Sequence, residues 1–385
     1  MFDSDEEFEA STGQGPSKLV ADFVAGLPEH LRENAAPLTN FTHAGFIARG
    51  SFGQVYKAIN PDGHPVALKK LSLHQFDNRR HQIARKDSFR EIKVLASLKH
   101  RNVAQLLRVV LGSSDVYLAV ELCPVQVLSV AKHNLPMPIV KSITWQLMTG
   151  LKYIHACGLI HRDIKIDNLM LKEGVLKIGD FGSTASVKEE VWTPQVVTLW
   201  YRPPEILLGC PHQTCAVDVW SAGCVMAELF LGRPLFGGFS ELNQINLIVD
   251  MLGTPTEEDW PGLNRLPVME CMELNQRDRR FTDELAPVTS KAARKLLAGM
   301  LVYNPESRLS AANCLGENYF VEQPEMATES EVAKFCDSVG VAQQLSGFRQ
   351  YASNDANDNS ENISGPDEKN SEKLEKVRKK LRLDL

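Results

Sequence analysis

The sequence predicts an α+β protein with two lobes, a smaller strand-rich lobe followed by a larger helical one. Short apolar runs rich in β-branched residues occupy Thr42 to Val120, which is typical of strands. From Met137 onward, apolar residues recur with the period of a helix. The content of 43% hydrophobic and 23% charged residues is that of a globular protein. Small-molecule sites often lie in a cleft between such lobes, so this organisation predicts a ligand site.

The elements of the first lobe follow from residue type and spacing. Val55–Ile59 and Val66–Leu71 are predicted as strands. Ser88–Leu98 is predicted as an amphipathic helix, because Phe89, Ile92 and Leu95 fall on one face.

The second lobe is predicted from helical periods alone. Its predicted helices are Ile139–His155, Ala216–Phe230, Glu241–Leu252 and Ser290–Leu301.

The charge is distributed unevenly along the 385 residues, whose formal net charge is −6. Residues 41–320 carry 31 Lys and Arg against 27 Asp and Glu, so the acidity belongs to the two ends. Residues 1–40 are predicted to form an acidic flexible extension, and residues 321–385 a polar, largely disordered one. The last part, 369–385, is either a basic amphipathic helix or a solvated tail.

Several classes of protein are excluded by composition and pattern. No apolar run reaches the roughly 18–20 residues needed to cross a bilayer, so no membrane partner is expected. The start, MFDSDEEFE, is acidic where a signal peptide would be basic and then apolar. The eight cysteines form no CxxC pair, which favours structural thiols in a reducing compartment. Nothing in the pattern indicates binding to nucleic acid.

A glycine-containing segment precedes the first clear strand. In Arg49-Gly50-Ser51-Phe52-Gly53-Gln54-Val55 the glycines would let the backbone approach a phosphate, although a plain hairpin turn is the alternative. Lys69 follows on the next strand, and Glu91 lies in the predicted helix, where it could pair with Lys69 and hold it toward phosphates. Taken singly, both side chains could equally be solvated.

The segment that decides the chemistry is HRDIKIDN followed by DFG. Phosphoryl transfer needs positioned magnesium, neutralised charge and an oriented nucleophile. Asp163 could accept a hydroxyl proton, and Lys165 places a cation near the transferred group. Asn168 and Asp180 offer oxygen ligands for a hard cation such as Mg²⁺. Two predicted strands, Leu169–Leu171 and Val175–Ile178, would pair and fix the spacing of these ligands.

The ordered set of glycine loop, VALK, Glu, HRDxKxxN, DFG and PPE resembles the eukaryotic protein kinases over residues 41–320. The resemblance implies the bilobal protein-kinase fold, with a β-rich N-lobe at 41–122 that carries helix αC and a helical C-lobe at 123–320. It implies ATP and Mg²⁺ as cofactors and proteins as substrates.

The resemblance also implies residue roles. Lys69 would hold the α- and β-phosphates with Glu91 as its partner, Asp163 would be the catalytic base beside Lys165, and Asn168 and Asp180 would bind magnesium. Val120 would be the gatekeeper and Glu121-Leu122-Cys123 the hinge, and Glu205 would pair with Arg308. The nucleotide-binding residues would be Ile47, Ala48, Arg49, Gly50, Ser51, Phe52, Gly53, Gln54, Val55, Ala67, Lys69, Val120, Glu121, Cys123 and Leu171.

The segment Thr193–Glu205, TPQVVTLWYRPPE, is similar to that of the cyclin-dependent kinases, a family within the CMGC group. The resemblance implies a preference for proline after the phosphorylated Ser or Thr, because proline has no backbone N–H to leave unpaired. Lys165 marks Ser/Thr rather than tyrosine specificity. Segments after Ala216 resemble the PITSLRE-type branch, cyclin-dependent kinases ten and eleven. That branch implies a cyclin or cyclin-like subunit and a role in the cell cycle or transcription.

Localisation is predicted from the family branch and the C-terminus. The terminal KLEKVRKKLRLDL could act as a nuclear import patch, and the branch is largely nuclear. A nuclear location is therefore expected, with the cytoplasm as the alternative.

Three departures from the family pattern stand out. Ala48 replaces the first glycine of the phosphate loop, and in the cyclin-binding helix signature RKDSFRE only the last two residues match. Thr193 matches the phospho-acceptor that three arginines clasp in the family. Arg90 and Arg162 match two of them, and Ala185 stands in place of the third. We therefore expect phosphorylation of Thr193 to raise the kinase activity, but by less than where all three arginines are present.

Three functional readings follow from these residues. The first is an active, proline-directed, cyclin-dependent Ser/Thr kinase. The second keeps the activity without a cyclin, and the third is a pseudokinase or scaffold that uses the fold to bind a partner.

Overall fold

The computed structural model describes residues 15–50, 53–71, 89–188, 197–286 and 289–341. Contacts divide the chain into two compact units. The first unit comprises the described residues of Met1–Val130, Asp167–Thr184 and Thr328–Tyr351, and the second those of Ala131–Ile166, Ala185–Ala327 and Ala352–Leu385. The strand-rich and helix-rich parts of the predicted α+β fold are thus both present.

The first unit is built on a six-stranded sheet with the strand order β1-β5-β6-β4-β3-β2. Its apolar core includes Tyr56, Leu68 and Tyr117, which are fully buried on one face of the sheet. The strands are β1 (Ala36–Pro37), β2 (Thr42–Gly50), β3 (Gly53–Ile59), β4 (Pro65–Leu71), β5 (Leu106–Leu111) and β6 (Val116–Glu121). The strands predicted at 55–59 and 66–71 are confirmed.

A second, three-stranded sheet in the first unit has the order β10-β9-β7, with β7 at Val125–Gln126, β9 at Leu169–Lys172 and β10 at Val175–Ile178. The predicted strand pair is therefore confirmed as an antiparallel hairpin. Because this hairpin pairs with β7, residues 167–184 belong to the first unit instead of following the sequence-based boundary at residue 122.

The N-terminal segment is folded from residue 18 onward, where composition predicts a flexible extension. It forms helix α1 (Lys18–Ala25), helix α2 (Glu29–Glu33) and strand β1, which pairs in parallel with β5. The apolar residues Val20, Phe23 and Leu27 recur at helical spacing and are buried. Burial of these side chains accounts for the order of the segment despite its acidic composition.

Helix α3 covers the described residues 89–97, within the predicted helix 88–98, and residue 88 lies outside the described part. Its inner face carries Glu91, Ile92 and Leu95, which are buried. Of the predicted apolar face, Ile92 and Leu95 are therefore buried, and Phe89 is half-buried.

The second unit is mainly helical. Its helices are α4 (Val127–Ala131), which begins in the first unit, α5 (Met137–Ala156), α6 (Pro204–Leu207), α7 (Ala216–Leu231), α8 (Glu241–Leu252), α9 (Phe281–Leu285), α10 (Lys291–Met300) and α11 (Ala311–Cys314). Two short strands, β8 (Leu159–Ile160) and β11 (Ala185–Ser186), pair antiparallel. The four predicted helices are confirmed, and Ser290 caps α10 by accepting a hydrogen bond from the Ala293 N–H. Within the described ranges, no helix is both long and apolar enough to span a bilayer.

Helix α12 (Glu329–Ser338) returns the chain to the first unit. It begins with a capping box between Thr328 and Glu331 and buries Val332 and Cys336. Its first residue packs against the β9–β10 turn so closely that a Cβ at Gly174 would lie 1.8 Å from the Glu329 carbonyl oxygen. Residues 321–341 are thus largely folded, while the possible basic helix at 369–385 lies outside the described residues.

This contact predicts different effects for the same substitution at two hairpin turns. Gly174 and Gly63 both have positive φ, at 77° and 81°, but nothing lies within 4 Å of the Cβ site at Gly63. Both Gly→Ala variants should carry the strain of a left-handed residue, about 1–2 kcal/mol. Gly174→Ala should in addition displace α12, at a further cost of about 1–3 kcal/mol.

The measurement is urea unfolding of the two full-length variants beside the wild type, together with limited proteolysis near residue 328. Equal losses of stability with unchanged proteolysis would show that α12 does not depend on this contact.

Candidate active site

The first unit brings together one cation and two carboxylates. Lys69 on β4 places its Nζ 2.6 Å from Oε1 of Glu91 on α3 and 3.1 Å from Oδ1 of Asp180. The predicted pairing of Lys69 with Glu91 is confirmed by this distance. The pair joins the sheet, the helix and the segment that follows β10, so each of these elements fixes the position of the Lys69 ammonium.

The charge state of Lys69 follows from opposing effects. Burial lowers the pKa of Lys69, but the charges and hydrogen bonds of Asp180 and Glu91 together outweigh burial, so the pKa lies above its ordinary value. Lys69 is therefore a permanent cation at neutral pH, as a group that neutralises phosphate charge must be.

Several of the predicted nucleotide-binding residues, which carry apolar side chains, also lie in the first unit. Ala67 on β4 pairs with Val120 on β6, and Leu171 is buried on β9. Val55 and Ile47, on β3 and β2, are half-buried. These apolar groups offer the kind of surface that nucleotide bases pack against.

The predicted hinge follows β6 without a break. Glu121 accepts a hydrogen bond from the Gln105 N–H and pairs with Lys177, 2.8 Å away, so its carboxylate serves a structural contact. Cys123 is buried, and burial raises the pKa of its thiol to about 12. The thiol is therefore protonated at neutral pH and weakly nucleophilic.

The predicted phosphate loop connects the antiparallel strands β2 and β3. Gly50 pairs with Gly53 at its end, and Gln54 is buried with its Oε1 accepting from the Tyr56 hydroxyl. Ala48 pairs with Val55, directly after a register irregularity between Phe46 and Ala48. The loop residues Ser51 and Phe52 lie outside the described residues, as does the side chain of Arg49.

The two predicted metal ligands meet at one end of the β9–β10 hairpin. Leu169 pairs with Ile178 at the end of the hairpin. Beyond this pair, the Gly179 N–H donates a hydrogen bond to the Asn168 carbonyl at 2.9 Å. Asp180 follows immediately, with a positive φ of 59°. A neutral amide and a carboxylate at one place form the oxygen donor set that Mg²⁺ prefers, so these residues fit the predicted ion.

The second unit holds Asp163 in a compact polar cluster. Its Oδ1 accepts from the Thr198 hydroxyl at 2.8 Å, and its Oδ2 lies 2.9 Å from Lys165 Nζ. Lys165 also donates to the Thr198 hydroxyl at 3.0 Å. Because a cation and a hydroxyl fix both oxygens, the carboxylate is held in one orientation.

Asp218 on α7 is a functional residue that sequence reasoning missed. Its buried carboxylate accepts the backbone N–H groups of His161 and Arg162, each at 2.8 Å, and lies 2.9 Å from Nε2 of His155. Arg162 has a φ of 66°, a strained conformation that this carboxylate stabilises. The signal in the sequence was an aspartate within the apolar helix AVDVWSAGC, where a buried charge needs a partner.

The segment after Thr198 is held by two arginines. The Arg202 guanidinium donates to the Val197 carbonyl from Nε at 2.9 Å and Nη2 at 2.7 Å, and it also contacts Glu241. Glu205 and Arg308 form a buried bidentate pair at 2.8 and 2.9 Å, which confirms the predicted structural salt bridge.

The predicted regulatory residues are only partly described. Thr193 lies outside the described residues, Arg90 lies on α3 in the first unit, and Arg162 lies in the second. Ala185 on β11 is 1% exposed, within an apolar cluster that includes Ile160 and Val197. The position where the family carries a third arginine is thus part of the apolar core.

Comparison with known proteins agrees with this geometry. Residues 41–320 match the family model described as the protein kinase domain. Cyclin-dependent kinase 10 of Homo sapiens is 38% identical over 307 residues, which covers 77% of this chain and 84% of the relative. The CTD kinase subunit alpha of Schizosaccharomyces pombe is 38% identical over 292 residues, covering 72% of this chain and 48% of the relative.

The role of Asp218 predicts a pH-dependent loss of stability in Asp218→Asn. Burial alone would raise the pKa of Asp218, but its hydrogen bonds and the neighbouring His155 outweigh burial, so the pKa lies below the ordinary value. A lowered carboxyl pKa contributes stability above the unfolded-state pKa, near about 3.9, and loses it as the pH falls through the folded-state pKa.

The free energy of unfolding of Asp218→Asn should therefore fall by roughly 1–3 kcal/mol at pH 7, because the amide has a single acceptor oxygen. The difference from wild type should shrink below about pH 4. Denaturant titrations at several pH values measure this, with the exposed Asp278→Asn as control. A difference that does not change with pH would contradict the assignment.

Proposed function

Since the chain belongs to the cyclin-dependent kinase family of protein serine/threonine kinases, we propose that it transfers the γ-phosphoryl group of ATP to Ser or Thr residues followed by proline. The observation that carries this proposal is the fixed carboxylate of Asp163, oriented by Thr198 and Lys165. A carboxylate held in one orientation is what a catalytic base requires.

The roles of the residues follow from their contacts. Asp163 accepts the proton of the substrate hydroxyl as that oxygen attacks phosphorus. Lys165, already beside Asp163, stabilises negative charge at the reacting centre. Lys69 binds phosphate oxygens, and Glu91 keeps the Lys69 ammonium in place.

Asn168 and Asp180 would hold magnesium, and the bound ion would neutralise phosphate charge. The positive φ of Asp180 and the Gly179–Asn168 hydrogen bond set the direction of these two donors from the hairpin end.

The preference for proline is supported by the contacts of Arg202. Two N–H groups of its guanidinium occupy the Val197 carbonyl oxygen, which is then saturated as an acceptor. A substrate residue with a backbone N–H facing this carbonyl would lose a hydrogen bond on binding, whereas proline has no N–H to leave unpaired. Burial lowers the pKa of Arg202 to about 10, so Arg202 remains charged at neutral pH.

We further propose a cyclin-like regulatory subunit, a role in cell-cycle or transcription control, and a nuclear location. The support is the similarity to cyclin-dependent kinase 10 and, for the location, the basic C-terminal sequence, which lies outside the described residues.

The catalytic assignment predicts that Asp163→Asn abolishes most of the activity. Removing the base should lower kcat about 10²–10⁴-fold with little change in the KM for ATP. The measurement is phosphate transfer from labelled ATP to paired peptides that contain Ser-Pro or Ser-Ala.

The exposed Asp283→Asn on α9 serves as the control and should match wild type. We expect the Ser-Pro peptide to be favoured at least about fivefold, since one unpaired N–H costs roughly 1–3 kcal/mol. Wild type no more active than Asp163→Asn would instead favour a scaffold.

Phosphorylation of Thr193 is predicted to activate with reduced gain, because the third clasping arginine is absent. Each missing charge-assisted hydrogen bond should weaken the clasp by about 1–3 kcal/mol. Ala185→Arg would force a guanidinium into an apolar cluster, so it is unsuited to restoring the clasp.

Thr193→Ala should lower kcat, and phosphatase treatment should lower the activity of wild type to the same level. Equal activity of wild type, Thr193→Ala and phosphatase-treated protein would contradict the assignment.

A further inference from the structure

The N-terminal helix α1 lies against the outer side of α3, the helix that carries Glu91. The rings of Phe23 and Phe89 are stacked, with centroids 4.2 Å apart and planes 21° from parallel. Phe23 is only 1% exposed. At the end of α1, a Cβ on Gly26 would lie 3.1 Å from the Phe89 ring, so the two segments are in close contact.

The contact is on the opposite side of α3 from the Lys69 pair. Side chains two positions apart on a helix project about 200° apart. Phe89 therefore faces α1 while Glu91 faces Lys69 on β4, 2.6 Å away. Helix α3 is thus held between α1 and the sheet.

The segment that contains α1 is itself fastened to the sheet at both ends. The Ser17 N–H donates to the Ser113 carbonyl at 2.8 Å, between β5 and β6. Beyond α2, Ala36 pairs with Val110 on β5. Because both ends are fixed, α1 is a rigid support and does not move freely with α3.

We propose that α1 is an intramolecular brace that positions α3, with Phe23 and Phe89 as positioning residues for the Lys69–Glu91 pair. The inference rests on the proposed function, in which Glu91 holds Lys69 for phosphate binding. The support would come from the chain itself, so part of the positioning of α3 would not need a second subunit.

A groove of about 490 Å³ adjoins this contact, lined by Gly26, Phe89, Arg90, Lys93 and Val94. Any partner that reaches this face of α3 therefore meets α1 as well. The brace and an external subunit would act on the same helix and in the same direction.

The test uses Phe23→Leu in the full-length protein, because leucine fills most of the space but cannot stack. Phe41→Leu is the matched control, since Phe41 is also buried in the first unit but packs in the core of the sheet. The first measurement is amide hydrogen exchange of residues 91–97. We expect it to rise about tenfold in Phe23→Leu, as lost stacking predicts, and to stay unchanged in Phe41→Leu.

The second measurement is a double-mutant cycle on kcat with Glu91→Gln. We expect Phe23→Leu to lower kcat about five- to tenfold in wild type and to have no further effect once Glu91 is lost. Wild-type values of amide exchange in 91–97 and of kcat in Phe23→Tyr, which keeps the stacking ring, would support the brace. Unchanged exchange in 91–97, or equal effects of Phe23→Leu in both backgrounds, would overturn it.

A failure of the proposed function is distinguishable from a failure of the brace. If wild type transfers no phosphate, the proposed function fails and the exchange experiment alone decides the brace. If wild type is active and exchange is unchanged, the brace fails and the proposed function stands.

Discussion

The ammonium group of Lys69 is the point on which the first unit depends. It is fixed by carboxylates from two other elements, Glu91 on α3 and Asp180 after β10. Both carboxylates raise the pKa of this half-buried ammonium against the effect of burial, so losing either one weakens the stabilisation of its charge. The sheet, the helix and the hairpin must therefore be positioned together, and a shift of α3 reaches the phosphate-binding group directly.

In the second unit, the orientation of Asp163 depends on a buried carboxylate that holds the backbone of its loop. Asp163 must point in one direction although its loop includes Arg162, a residue in a left-handed conformation. Asp218 stabilises that backbone by accepting two of its N–H groups from inside α7. The strain in the loop is thus held by a helix in the core. Both units place a charged side chain by anchoring the backbone or helix beneath it.

The sequence was sufficient for the parts of the fold that repeat a local pattern. The strand pair at 169–178, helix α8 and the pairing of Lys69 with Glu91 follow from periodicity and from motifs at fixed spacing. The aspartate within the apolar helix α7 indicates a buried charge, but its backbone partners at His161 and Arg162 cannot be identified from residue types. The order of α1 was not predicted because the composition of the segment is acidic and has only a few apolar residues. Phe89, which stacks on Phe23 of this segment, is distant in sequence. From the sequence, Ala185 was interpreted as replacing an arginine of the family, and its burial in an apolar cluster shows that the position belongs to the core.

The pairing of β1 with β5 bears on where this domain begins. Residues 41–320 match the family, yet a protein cut at residue 41 would lack β1 and leave the main-chain groups of β5 without their partner at Ala36 and Pro37. It would also uncover the surface against which Val20, Phe23 and Leu27 are buried. An open strand edge beside an exposed apolar patch favours pairing between molecules. The stretch of chain that folds stably is accordingly longer than the stretch that carries the family motifs, and recombinant boundaries belong before residue 17.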